Sequence, residues 1–437
     1  MDNSINTELF DFIEKSPTAW HTAENAAEML RNAGYTELFE SSRYDIEKGR
    51  GYFVRRNGSA LTAFRIPEGD FRGFMIMAAH GDSPSFRIKG SAETESAGIY
   101  TRLNVEKYGG MLCSSWLDRP LSVAGRVIVR ENGKLVSKLV NIDRDLVLIP
   151  NVAIHMDRSA NDGKAYNPNV DMLPLFSDAK GGKHLMDIVA EAAGTDKNSI
   201  VSHDLYTYCR DRGCRWGADM EYISCPRLDD QQCAFSCLKG FLGAEKSGSV
   251  PVLCIFDNEE VGSGTKQGAD STFLEDTLCR IAEASGMNGE DYRRAVSCSF
   301  MVSADNAHAV HPNHPEYADR NDRPRMNGGV VIKHNASQKY TTDAVSEAVF
   351  AEICAAAEVP VQSFTNRADM PGGSTLGNIS TAHVSIDTVD IGLAQLAMHS
   401  AYETAGAEDT EYLVRAAKEF FSCSISRRGG EIQIIRH

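Results

Sequence analysis

Residues 251–264, PVLCIFDNEEVGSG, limit what this chain can fold into more than any other stretch. An apolar run at 252–256 ends abruptly in Asp257, Glu259 and Glu260, and then in glycines. A short apolar run bounded by turn residues has the signature of a strand buried on both faces, which belongs in a sheet covered by helices. Adjacent carboxylates repel each other, so a pair at the exit of such a strand calls for positive charge nearby.

The same kind of element recurs. MIMAAHGDSP puts His80 and Asp82 after the apolar run from Phe74, and SCPRLDDQQ puts Asp229 and Asp230 at a helix start. FMVSADNAHAVHP puts Asp305, His308 and His311 after another run, and LAQLAMHSAYE puts His399 near the end of the chain. In an open α/β sheet, ligands bind outside the carboxyl ends of the strands, so these residues can converge on one crevice. Singly, each has a plainer explanation. A histidine after a strand is more often structural, an acidic pair more often solvated, and Asp229 suits a helix N-cap. Repetition is what favours a site.

Two divalent ions about 3.5–4 Å apart need a bridging carboxylate, terminal carboxylate or imidazole ligands, and an unliganded base. Successive residues of extended chain point in opposite directions. Glu260 is therefore expected to face the metals while Glu259 turns to the attacking water as general base, its pKa raised by its neighbour.

Along the chain, apolar spacing predicts helices at 6–14 and 18–33 and strands at 51–55, 60–65 and 74–79. From 91 to 225 the texture changes to short alternating runs (124–130, 138–141, 146–149) and a polar stretch at 157–183 that reads as a loop or interface arm. After Pro226 the αβ pattern returns: a helix at 228–242, a strand at 250–256, helix from 281, a strand at 297–303, a helix at 342–358, a strand at 384–391 and a last helix at 411–422. The inferred fold is an α/β domain built from both ends of the chain and interrupted by a β-rich insert.

A net charge of −15 argues against nucleic acid or anionic membrane as a partner. No apolar run reaches the ~18–20 residues of a membrane span, and the first twenty residues lack a signal-peptide pattern. Eleven cysteines without a CxxC pair read as reduced, buried side chains, so a cytoplasmic location is expected.

AAHGDSP, YGGMLCSSWLDRPL, IPNVAIHMDR, PRLDD, DNEEVGS, SADNAHAVHPN, VIKHN and GLAQLAMHS, in that order, resemble the M18 metallo-aminopeptidases, the group that includes aspartyl aminopeptidase. The resemblance implies a three-layer zinc-peptidase domain at 1–92 and 226–437, with an inserted β-rich dimerisation and oligomerisation domain at 93–225. It implies two zinc ions per subunit, for which manganese or cobalt would also suit the donors. His80 and Glu260 would be ligands, Asp229 the bridge, Asp305 and His399 the holders of the second ion, Glu259 the base, and Asp82 the residue that orients His80. His155 would reach a neighbouring subunit's site, Lys333 would meet an acidic first side chain, and His308 would line that pocket. The implied activity is hydrolysis of the N-terminal residue of peptides, with Asp or Glu preferred, by a dimer-based homo-oligomer, a dodecamer. A broad or neutral-residue aminopeptidase, or another di-metal amidohydrolase of the same fold, is the alternative. Asn306 and Pro120 depart from the aspartate-specific wording and place the chain nearer the bacterial branch.

Overall fold

The computed structural model describes residues 4–178, 180–244 and 247–437. Its largest sheet has nine strands, in the order Thr36–Leu38, Gly51–Arg56, Ala60–Arg65, Val250–Phe256, Phe74–His80, Phe300–Ala304, Asp387–Gly392, Val330–His334 and Val361–Thr365. The four strands from Val250–Phe256 to Asp387–Gly392 run parallel. Their register sets Phe256 beside His80 and Ser303 beside Ala78. The residues that follow each strand, 81–82, 257–260 and 305, therefore leave the sheet along one edge.

Phe74–His80, Val250–Phe256 and Phe300–Ala304 are buried at every position, as parallel strands covered on both faces must be. Side chains alternate between the two faces. Met75, Met77, Leu253 and Ile255 pack with Phe235, Phe241, Phe420 and Phe421 from helices Leu228–Gly243 and Asp409–Phe421. Ile76, Val252, Cys254 and Phe256 pack with Phe273, Leu278 and Ile281 of helix Phe273–Ala284 on the other side. The result is three layers. The helix expected at 342–358 spans Ala344–Ala356 and is capped by Asp343, whose carboxylate accepts from the amides of Val345 and Ser346.

A second, antiparallel sheet has six strands, in the order Lys134–Asn141, Leu121–Glu131, Ile200–Cys209, Ser85–Ser96, Tyr100–Tyr108 and Leu175–Asp178. It has its own core, including Phe86, Trp116, Val127 and Leu205. This sheet runs from Ser85 to Cys209, whereas the insert expected from the sequence was 93–225. Only Gly81 to Pro84 separate it from Phe74–His80, so the change of sheet leaves no linker to read. Tyr222–Cys225 instead pairs with Glu403–Gly406, in a five-stranded sheet that also contains Cys214–Trp216, Ala394–Leu396 and Ala307–His308.

Other boundaries moved too. The helix expected from 281 begins at Phe273, because Glu275 and Asp276 on its exposed face interrupt the apolar spacing. The polar stretch 157–183 is mostly turns but contributes the strand Leu175–Asp178, and Ala179 lies outside the described residues. The last helix is followed by the hairpin Cys423–Arg428 and Glu431–Arg436, turned at Gly429-Gly430, which the sequence reading passed over. All eleven cysteines are free. Among the described residues no helix is long and apolar enough to cross a membrane.

Candidate active site

The edge of the nine-stranded sheet gathers His80, Asp82, Asp229, Asp230, Glu259, Glu260, Asp305 and His399. Glu259 and Glu260 are not on extended chain, as the sequence reading had it, but in the 3-10 turn Glu259–Val261. Asn258, with φ 61°, bends the chain there, and its side-chain oxygen accepts from Thr265 Oγ1 and Gln267 Nε2. The two carboxylates still diverge. Glu259 Oε2 lies 3.9 Å from His80 Nε2, and Glu260 Oε2 lies 3.3 Å from His399 Nε2.

Asp82 holds this turn. Its two carboxylate oxygens accept from the amides of Glu259 and Glu260, at 3.2 Å each, and its backbone carbonyl lies 3.1 Å from His80 Nδ1. One residue thus orients the imidazole and fixes the pair of glutamates.

Asp229 stands between the two histidines. Its Oδ1 is 3.5 Å from His80 Nε2 and its Oδ2 is 3.2 Å from His399 Nε2. His80 Nε2 is also 3.8 Å from Asp305 Oδ1. Asp229 thus stands between a His80–Asp305 contact and a His399–Glu260 contact. The expectation joins Asp305 to His399 for one ion; here Asp305 contacts His80, and His399 contacts Glu260. Donor atoms of His80, Asp229 and Glu260 lie within 4.8 Å of one another, as do those of His80, Asp230 and Asp305. Asp230 also accepts from the His80 amide at 3.1 Å.

The residues fit divalent metal. Asp229 Oδ1, Asp230 Oδ1 and Glu260 Oε1 are buried oxygens without a hydrogen-bond partner, a costly arrangement for carboxylates unless a cation satisfies them. Burial raises Glu259 to about 8 against the pull of His80, and Asp305, Asp82 and Asp229 add to the rise. Burial and Asp229 push Glu260 well above the carboxylate range. For His399, burial is outweighed by Asp229, and the ring rises to about 9. So many acids crowded together hold protons tightly in the absence of a dication.

The three substrate candidates fare differently. Lys333 is buried, its Nζ 3.2 Å from Asp305 Oδ2 and 3.3 Å from the Asn306 carbonyl, and 5.1 Å from the Tyr340 ring centroid. His308 is exposed and packs edge-on to Phe364. His155 lies on an exposed turn of the inserted region, in a chain that does not bring it to its own cluster.

Two residues escaped the sequence reading. Glu403 accepts from the His399 amide at 2.7 Å and the Asp229 amide at 3.0 Å, joining the two ligands from behind. Burial and Asp229 raise it to about 8. Its signal was its place four residues after His399. Tyr108 donates to Asp82 Oδ2 at 2.7 Å and accepts from Asn258 Nδ2 at 2.8 Å. Nothing local marks a tyrosine at the end of a strand in another sheet.

A family model described as aminopeptidase I zinc metalloprotease (M18) matches residues 12–421. A probable M18 family aminopeptidase 2 of Clostridium acetobutylicum is 46% identical over 422 residues, covering 95% of this chain and 98% of the relative. Among solved structures, a chain in the cryo-EM structure of the Ape4 and Nbr1 complex has a TM-score of 0.92 at 36% identity, covering 96% of this chain and 85% of that one. The S. cerevesiae mApe1 dodecamer matches with a TM-score of 0.84 at 27% identity, covering 96% of each chain.

Proposed function

The chain belongs to the M18 family of zinc metallo-aminopeptidases, and from that premise we propose that it removes the N-terminal residue of peptides using two ions per subunit. His80 and Asp305 would hold one ion, Glu260 and His399 the other, and Asp229 would serve both. The observation that carries this reading is Asp229, whose two oxygens face two histidines on opposite sides. Zinc is the ion of the family description, and manganese or cobalt would suit the same donors.

When bound, such ions polarise a carbonyl and lower the pKa of a water. The protein supplies the rest. Glu259 accepts a proton from the attacking water and returns it to the leaving amine, and its high proton affinity in this buried setting suits both halves of that task. Asp82 keeps the base on station by holding its backbone amide. A water-restricted, preorganised carboxylate of this kind contributes about 10²–10⁴-fold.

The pairing of Lys333 with Asp305 supports a broad first-residue preference over a strictly acidic one. An ammonium already bonded to a ligand carboxylate must leave that partner to greet a substrate carboxylate. The inserted sheet, we infer, carries the dimer contact of a homo-oligomer, with His155 reaching the neighbouring site. In support, Val152, Ile154 and Met156 around it are exposed apolar residues, and the similar mApe1 is a dodecamer.

The deciding experiment is a panel of peptides beginning with Asp, Glu, Leu, Met and Lys, each with a free and an acetylated amine. Release of several first residues, abolished by acetylation, is the expected result. Release of Asp and Glu alone would return Lys333 to substrate recognition. Cleavage of acetylated peptides would replace the aminopeptidase with another amidohydrolase.

A further inference from the structure

The segment from Tyr108 to Ser115 leaves the six-stranded sheet and runs directly over one half of the ligand cluster. Gly109 lies against Glu260: a Cβ at this position would sit 3.1 Å from Glu260 Cβ and 3.4 Å from its carbonyl oxygen. Its φ of 77° is itself a conformation that side chains other than glycine's rarely adopt. At the next position Gly110 lies beside the His399 ring, where a Cβ would sit 3.8 Å from Nδ1. The Leu112 amide donates to the His399 carbonyl at 3.0 Å, and Ser115 Oγ accepts from the Ala401 amide at 2.9 Å. Tyr108, at the start of the segment, reaches the Glu259–Val261 turn through Asp82.

The other half meets the segment only at its start, where Tyr108 donates to Asp82, whose carbonyl lies 3.1 Å from His80 Nδ1. His80 and Asp305 follow adjacent parallel strands of the nine-stranded sheet, and Asp305 is braced by Lys333 from that same sheet. Its geometry is set by the strand ladder. His399, by contrast, sits on a turn with φ 67°, tied on one side by Glu403 and on the other by the segment from the insert.

We propose that the segment Gly109–Ser115 controls the affinity of one ion and not the other: it is a strut that positions Glu260 and His399, while its hydrogen bonds do not reach His80 or Asp305. The inference rests on the two-ion reading above. Residues that orient metal ligands from behind typically change metal affinity by about 10–100-fold when altered, and here the whole of that change falls on a single ion.

The test is metal binding, read independently of turnover. Chelator-treated protein would be titrated with zinc, with bound metal counted after gel filtration, for the unmodified chain, Gly109→Ala, Ser115→Ala and Val127→Ala. Val127 is buried in the core of the inserted sheet and makes none of the strut's hydrogen bonds, so that variant reports general loosening of the insert. The unmodified chain and Val127→Ala are expected to take up two ions tightly. Gly109→Ala is expected to keep one tight ion and bind the second at least tenfold more weakly, with Ser115→Ala, which removes the acceptor for the Ala401 amide, showing a smaller change in the same direction. Two ions at unmodified affinity in both strut variants would overturn the inference, and so would equal weakening of both ions. A Val127→Ala profile like that of Gly109→Ala would also overturn it, by tracing the effect to destabilisation. A single ion in the unmodified chain would instead overturn the two-ion reading.

Discussion

The nine-stranded and six-stranded sheets use the same element for opposite purposes. In the first, the central strands are buried from end to end, so no side chain along them is available and all chemistry is forced to their ends. In the second, strands such as Lys134–Asn141 and Tyr100–Tyr108 expose much of their length, and none of the proposed ligands comes from them. Yet the second sheet ends in Tyr108, whose hydroxyl donates to Asp82 beside the turn bearing Glu259 and Glu260, and leads into Gly109, which lies against Glu260. The nine-stranded sheet leads into His80, Glu259, Glu260 and Asp305, while Asp229 opens a helix and His399 follows a strand of the five-stranded sheet.

The largest expected effect tests the first half of that contrast. Glu259→Gln should retain the metal count of the unmodified chain and lose about 10³-fold or more in kcat, since the proton carrier is removed while the ligands stay. Unchanged turnover would move the base elsewhere. Next is Lys333→Met, which strips a buried cation from Asp305 within the nine-stranded sheet. Breaking a buried pair from one side costs about 3–5 kcal/mol, so chelator-treated protein should melt markedly earlier, as followed by circular dichroism. First-residue preference in the peptide panel should stay the same. A lost preference for acidic peptides with unchanged stability would mean that Lys333 faces substrate after all.

The smallest effect lies at the seam between the two sheets. Helix Ala19–Asn32 packs against strand Leu121–Glu131 of the insert, with the Arg126 guanidinium over the Trp20 ring at 4.8 Å. In this helix His21 is buried with its Nδ1 2.8 Å from Thr18 Oγ1, and burial, aided by Arg227, lowers it to about 4. The folded protein therefore resists protonating a group that the unfolded chain protonates near its ordinary value of 6.5. Stability is present in full above that value and is lost as pH falls toward 4, by about 2 kcal/mol between pH 7 and pH 5. His21→Gln should flatten this part of the pH–stability curve in chemical denaturation. An unchanged slope would assign the acid sensitivity to other groups.

Much of the site was legible because the chemistry sits where the hydrophobic pattern stops. His80, Asp229, Glu260, Asp305 and His399 each follow a strand or open a helix or turn, and they do converge. Their grouping into a His80–Asp305 contact and a His399–Glu260 contact was not legible. It depends on strand order, which places Val250–Phe256 and Phe300–Ala304 on opposite sides of Phe74–His80, and a sequence shows strands without their order. The start of the second sheet at Ser85 was hidden for a related reason, since only residues 81–84 separate it from Phe74–His80. Tyr108 and Glu403 act through backbone amides and other side chains, so their roles exist only once the chain is folded.

The position of Phe74–His80 has a consequence for how the chain is made. Its two neighbours in the sheet, Val250–Phe256 and Phe300–Ala304, both come much later in the sequence. A ribosome adding about 5–20 residues per second takes on the order of ten seconds or more to produce the first of them. Throughout that interval a strand apolar up to His80 waits with both edges open, while residues 85–209 can already pair among themselves. Newborn copies of this protein therefore pass through a stage in which an unpaired apolar strand is open to pairing with other chains.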